Sequence, residues 1–121
     1  MNSSRQALGR WGEAIAANFL ENQGYLIIER NCRTPYGEID LIAQDGTVLV
    51  FVEVKTRTSN AFGYPEESIT SQKREHLISA AQAILQSMPN QPDSWRIDVI
   101  AIRKVKSVEQ PEIVHFKNAV N

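Results

Sequence analysis

The sequence predicts one α/β domain over residues 1–121, with elements in the order αβββαβ(β) around a mixed central sheet with flanking helices. Three observations carry that expectation. Two stretches place apolar residues at helical spacing, an Asp45-Gly46 pair separates two runs suited to a hairpin, and the second helical stretch lies between strand-like runs at the spacing of a βαβ crossover.

Leu8, Trp11, Ile15 and Phe19 fall on one helical stripe, and Ser3 or Ser4 suits a cap, which predicts a helix from about residue 5 to 22. Gly24 then stands where a helix C′ residue belongs. Tyr25–Arg33 is rich in apolar residues and bounded by glycine and proline, the pattern of a strand. After the Pro35 and Gly37 turn signal, Glu38–Ala43 opens with polar–apolar alternation and predicts a second strand. Thr47–Lys55 is dense in β-branched and aromatic residues and predicts a third, buried on both faces. Arg57–Pro65 reads as a loop. Leu77, Ile78, Ala81, Ile84 and Leu85 mark a second helix from about Thr70 to Ser87, stopped by Pro89 and Pro92. Trp95–Arg103 and Glu112–Lys117 complete the strands. The third strand and Trp95–Arg103 are expected to be parallel, with a right-handed crossover.

An apolar fraction of 42% and a charged fraction of 22% suit a soluble globular domain. Glu13 and Asn18 interrupt the apolar residues of the first segment, so neither a secretory signal nor a membrane span is expected. The single cysteine, Cys32, has no disulfide partner and no metal-type spacing, which fits a reducing, cytoplasmic setting and a small strand residue. A net charge of −1 excludes a binder that holds nucleic acid by bulk positive charge. Any phosphate contact has to be local or mediated by a metal.

The chemistry concentrates on the hairpin. With Asp45-Gly46 as a two-residue turn, Asp40 falls opposite Phe51 and Glu38 opposite Glu53, so that Glu38, Asp40, Glu53 and Lys55 share one face, with Asp40 diagonal to Glu53. Carboxylates held together on buried strands repel one another unless a cation neutralises them. Mg²⁺ takes hard oxygen ligands from one or two carboxylates and a substrate phosphate, so Asp40 and Glu53 are the expected ligands, with Mn²⁺ as an alternative ion. Lys55 would then orient the attacking water and stabilise charge on the phosphorane. The plain alternative is an exposed Glu53–Lys55 ion pair at a sheet end, worth about 0–1 kcal/mol.

GEIDLIA followed by VFVEVKTR resembles the PD-(D/E)xK restriction-endonuclease-like superfamily. Together with GRWGEAIAANFL, GYLIIERNCR, the helix around Lys73 and RIDVIAI, the chain resembles the YraN-like family of small bacterial proteins, itself similar to archaeal Holliday-junction resolvases. The resemblance implies a restriction-endonuclease-like fold and gives Asp40 the role of the first motif acid, Glu53 the second and Lys55 the lysine. Ile39 stands where the motif's label has proline. The resemblance also implies a glutamate from the first helix joining the site. Glu13 suits that role, because it sits among Gly9, Ala16, Ala17 and Leu20 rather than on a charged face; a solvated helix glutamate is the other reading.

Arg30, Arg33 and Arg57 place positive charge near the acids and are candidate phosphate contacts, as is Lys73, with Arg74, in the first turn of the second helix. Taken singly, each of these arginines reads first as a solvated surface cation, and for Lys73 and Arg74 a solvated first turn is at least as good a reading. Glu38 is either an outer ligand or a strand-end residue, Trp11 and Trp95 are expected in the core, and His76 and His115 have no visible partner. The function expected is a metal-dependent nuclease acting on nucleic acid, in the first place DNA, with branched or structured DNA suggested by the resemblance. Two other readings stand beside it: a non-catalytic nucleic-acid-binding module that keeps the fold, and a scaffold for a protein partner. A symmetric junction cutter would need two sites, and hence a homodimer.

Overall fold

The computed structural model describes residues 3–58, 69–105 and 109–121, with side chains from residue 5 onward. Five strands and two helices follow one another as α1 (Ser3–Asn22), β1 (Leu26–Thr34), β2 (Gly37–Asp45), β3 (Val48–Arg57), α2 (Ser71–Ser87), β4 (Ser94–Arg103) and β5 (Glu112–Val120). The sheet order is β1-β2-β3-β4-β5, antiparallel except for the parallel β3–β4 pair that brackets α2. The first helix already includes Ser3 and Ser4, which therefore lie in its first turn and not before it as the expected caps; the expected loop beyond Thr58 lies outside the described residues. No described helix is long and apolar enough to cross a membrane.

The apolar run of β3 is covered on both sides. Val50 and Val52 face α1, where Ala16, Ala17 and Leu20 meet Leu41, Ala43, Ile100 and Ile102; Leu49 and Phe51 face α2, where Leu77, Ala80, Ala81 and Leu85 meet Ile39, Ile42, Ile97 and Val99. The small residues of α1 let it lie close to the sheet. A Cβ added to buried Gly12 would overlap Thr56 Oγ1 and stand 3.1 Å from Thr56 Cβ, so the glycine fixes the helix-to-strand distance one residue before Glu13. Gly12→Ala gains about 1 kcal/mol of helix propensity but incurs about 1–3 kcal/mol of overpacking. A net loss is therefore expected, read as a melting temperature lowered by a few degrees.

Helix ends follow their local chemistry. Gly24, at φ +95°, terminates α1 with the Tyr25 N–H donating to the Leu20 carbonyl (3.0 Å) and the Gly24 N–H to the Glu21 carbonyl (3.0 Å), a Schellman pair that seats Tyr25 on Leu20. Thr70 caps α2, its hydroxyl accepting the Lys73 N–H at 3.1 Å. That cap sets where the first turn of α2 points its lysine.

The hairpin differs from the sequence expectation. Asp45 pairs with Val48 and Leu41 with Val52, so the turn is Gly46-Thr47 and the register is displaced by two residues. Gly46, at φ +62°, takes the first central position, the arrangement of a type II′ turn, whereas Asp45 stays in the strand with its carboxylate 3.4 Å from Arg96. The expected pairs Asp40–Phe51 and Glu38–Glu53 are corrected accordingly: Ile42 lies opposite Phe51, and the same register carried on sets Asp40 level with Glu53.

Candidate active site

The described β2–β3 pairing ends at Leu41–Val52, one step before Asp40 and Glu53. Strict alternation also lapses there, because Ile39 and Ile42, three residues apart, pack in the same layer. On the neighbouring strand Asn31 adopts φ +53°, the left-handed region that asparagine tolerates better than most residues. The shared face expected for Glu38, Asp40, Glu53 and Lys55 is thus replaced by a fork between strands. Asp40 bridges the fork, its Oδ2 accepting the Val54 N–H at 2.8 Å. Strand N–H groups lie in the plane of the sheet, so the carboxylate sits between β2 and β3 and is reached from both layers.

From the α1 layer comes Glu13. Oxygens of Glu13, Glu38 and Asp40 all lie within 4.8 Å of one another, a spacing that suits a shared cation. With its nitrogen turned toward the acids, the Asn31 amide donates to Glu13 Oε1 at 3.0 Å and to Glu38 Oε1 at 3.3 Å. From the other side comes Glu53, 5% exposed, whose Oε2 is 3.5 Å from Lys55 Nζ and 3.4 Å from Lys73 Nζ. The ammonium groups hold Glu53 beside the trio rather than within it.

Electrostatics follow from this crowding. Burial raises the Asp40 carboxyl from 3.8 to about 7, with the Glu53 carboxylate and then Glu13 adding to the rise, while the Val54 N–H and Lys73 oppose it. Glu13 is raised by burial and by Glu38, and Asn31 partly offsets the rise. An acid raised on folding binds more protons in the folded chain, so its contribution makes stability fall as pH climbs from about 4 to about 7. In EDTA, Asp40→Asn is therefore expected to raise the melting temperature at pH 8 and to change it little at pH 4. The free-energy gain has an upper limit of about 4 kcal/mol, from about 1.4 kcal/mol per pKa unit. Equal effects at both pH values would show that Asp40 is not held in this repulsive field.

The other sequence candidates are more peripheral. Arg33 is largely exposed and 3.7 Å from Glu38, Arg30 is exposed, and Arg57 is half-buried where its carbonyl accepts the Lys104 N–H. Lys73, expected to reach phosphate, instead touches Glu53. Trp11 is half-buried beneath the Lys104 ammonium, and Trp95 lies edge-on to Phe51 but is 38% exposed, not fully in the core. Burial, with Glu29 beside it, pushes the Cys32 thiol up to about 11, consistent with an inert strand residue.

Two features escaped the sequence reading. Asn31 has one local signal, a polar, turn-favouring residue within a strand. The second is a buried polar cluster in the α1 layer, where fully buried Asp98 accepts from Arg96 Nε (2.9 Å) and the Asn118 N–H (2.8 Å) and meets His115 Nε2 at 2.8 Å. His115, given no role from sequence, stands edge-on to Phe19 and tilted against Tyr25.

A sequence model described as "Uncharacterised protein family UPF0102" matches residues 12–102. The UPF0102 protein of Syntrophotalea carbinolica is 43% identical over 119 residues, covering 98% of this chain and 95% of its own. That of Chlorobaculum parvum is 46% identical over 118 residues, covering 94% of this chain and 92% of its own. The matched span takes in Glu13, Asn31, Glu38, Asp40, Glu53, Lys55 and Lys73.

Proposed function

The chain belongs to the UPF0102 family, and we propose that it is a metal-dependent nuclease of the restriction-endonuclease-like fold, hydrolysing phosphodiester bonds in DNA. Branched or structured DNA is the substrate class suggested by its resemblance to the resolvases. The observation that carries this reading is the fork between β2 and β3, where Asp40, Glu53 and Lys55 meet Glu13.

The residues present fit Mg²⁺ or Mn²⁺. Three carboxylates offer hard oxygen donors within 4.8 Å of one another, and burial, with the charges of Glu53 and Glu13 beside it, raises the Asp40 carboxyl in a way that a cation would relieve. Asp40, Glu13 and Glu38 would hold the ion, with Glu53 joining once a lysine releases it. Bound there, the ion would supply a polarised phosphoryl oxygen and an acidified water. The chain's own groups do the rest. Asn31 keeps Glu13 and Glu38 aligned, Lys55 keeps a positive charge where the phosphorane becomes negative, and Arg33 stands on the rim to meet a flanking phosphate.

The test combines Mn²⁺ calorimetry with cleavage of junction, flap, single-stranded and duplex substrates. Binding lost in Asp40→Ala and cleavage by the wild type are expected. DNA binding without cleavage of any substrate in Mn²⁺ would instead favour a non-catalytic nucleic-acid-binding module.

A further inference from the structure

Glu53 is the most buried acid of the site, yet one of its oxygens carries two ammonium groups, Lys55 at 3.5 Å and Lys73 at 3.4 Å. One lysine suffices to neutralise one carboxylate. The two differ in how they are held. Lys55 is on the same strand, two residues away, with its side chain 25% exposed, whereas Lys73 arrives from the first turn of α2 with its side chain 39% exposed. The Thr70 cap fixes the backbone of Lys73, leaving the four-carbon stem free to swing.

A divalent cation brought to Asp40 adds two positive charges beside these ammonium groups. Something has to move, because like charges at this range in a half-buried site repel by more than an exposed ion pair attracts. Lys73 can leave at least cost, having the greater exposure and no acidic residue in the first turn of α2 to hold it.

We propose that Lys73 is an exchangeable counter-ion of the site: it neutralises Glu53 in the metal-free protein and passes to a phosphate oxygen of the nucleic acid when a divalent cation takes its place. The inference rests on the nuclease reading for its metal and its phosphate. It makes Glu53 available as a ligand only when a cation is present, and couples cation binding to backbone phosphate capture through one side chain.

The experiment uses the full chain with Lys73→Met, which keeps the stem and removes the charge, Lys73→Arg, which keeps the charge, and Asp40→Ala as the control. Melting in EDTA establishes that each is folded. Mn²⁺ calorimetry without DNA is expected to show Lys73→Met binding the ion about fivefold more tightly than wild type, the release of about 1 kcal/mol of competing ion pair. In Ca²⁺, taken as a cation that supports binding, DNA affinity is expected to be weaker for Lys73→Met, with the salt slope smaller by about one phosphate contact. Lys73→Arg should restore the slope. Unchanged or weaker Mn²⁺ affinity in Lys73→Met overturns the exchange, as does an unchanged salt slope. Failure of the nuclease reading is distinguishable, because it shows as Mn²⁺ binding that survives Asp40→Ala, or as a wild type that cuts nothing.

Discussion

Lys55→Ala is expected to lower turnover by about 100-fold or more while binding Mn²⁺ no more weakly than wild type, and Asp40→Ala to lose Mn²⁺ affinity by about 10-fold or more. The contrast follows from where each group acts. Asp40 lies in the fork, tied to the Val54 N–H and within ligand spacing of Glu13 and Glu38, so its removal deletes an oxygen donor and frees a backbone N–H. Lys55 carries no donor for a cation. Its ammonium stays beside Glu53 on the same strand, and in the proposed reaction its worth would rise as a phosphoryl group becomes more negative in the transition state. A group felt mainly in the transition state lowers kcat more than it raises KM. Excess Mn²⁺ should partly rescue Asp40→Ala and leave Lys55→Ala unrescued. If the wild type cleaves no substrate while Lys55→Ala leaves DNA and metal binding intact, catalysis is refuted and a binding module takes its place.

The parts of this site that the sequence revealed are those that depend on strand identity; the parts it hid depend on irregular backbone. Glu-x-Lys in the densest β-run placed Glu53 and Lys55 together whatever the turn, because residues two apart share a face. Asp40 reached Glu53 by a different route from the one periodicity suggested. Gly46 moved the turn by one position and the register by two, and alternation then broke around Asp40, opposite the left-handed Asn31. Period-2 reasoning has no means of seeing such a local lapse of alternation, which is specified by a few backbone angles and by side-chain to backbone bonds such as Asp40 to Val54. The small neighbours of Glu13 signalled a close approach of α1, which Gly12 meeting Thr56 bears out, while its place beside the acids was implied by the resemblance. Lys73 was placed on the correct helix turn and given phosphate as its partner, but its range extends to Glu53, a tertiary distance that no local pattern encodes. The helices and the strands of the central sheet, by contrast, follow from amphipathic spacing and from glycine and threonine at the ends of helices.

Asp98→Ala is expected to destabilise the fold by about 3–5 kcal/mol, a large share of the 5–15 kcal/mol typical of a domain, and to lower the melting temperature by roughly 10 °C or more. Asp98 is fully buried in β4 and is the acceptor on which Arg96, the Asn118 N–H and His115 converge, while Arg96 also reaches the Tyr25 hydroxyl at 2.9 Å and Asp45. The cluster pins the β4–β5 irregularity, where the register jumps between Ile97 and Val99 and Asn118 takes φ +52°, to the end of α1 through Tyr25. Alanine removes the Arg96 guanidinium's nearest acceptor, leaving it to Tyr25 and Asp45, and leaves the Asn118 N–H without its carboxylate. Asp98→Asn keeps the shape and one acceptor and should cost less, about 1–3 kcal/mol. Burial would raise the Asp98 carboxyl, but His115, Arg96 and the Asn118 N–H together hold it below 3.8. An acid lowered on folding contributes stability that is complete above its unfolded pKa and is lost as pH falls through the folded one. The gap between wild type and Asp98→Asn should thus close as pH falls below about 4. Although an aspartate beside a histidine suggests catalysis, this pair is enclosed, with His115 only 10% exposed, and faces the α1 core among Phe19 and Tyr25. Asp98→Asn assayed below its melting temperature should therefore retain Mn²⁺ affinity and cleavage, and a folded Asp98→Asn that had lost both would bring this cluster into the active site.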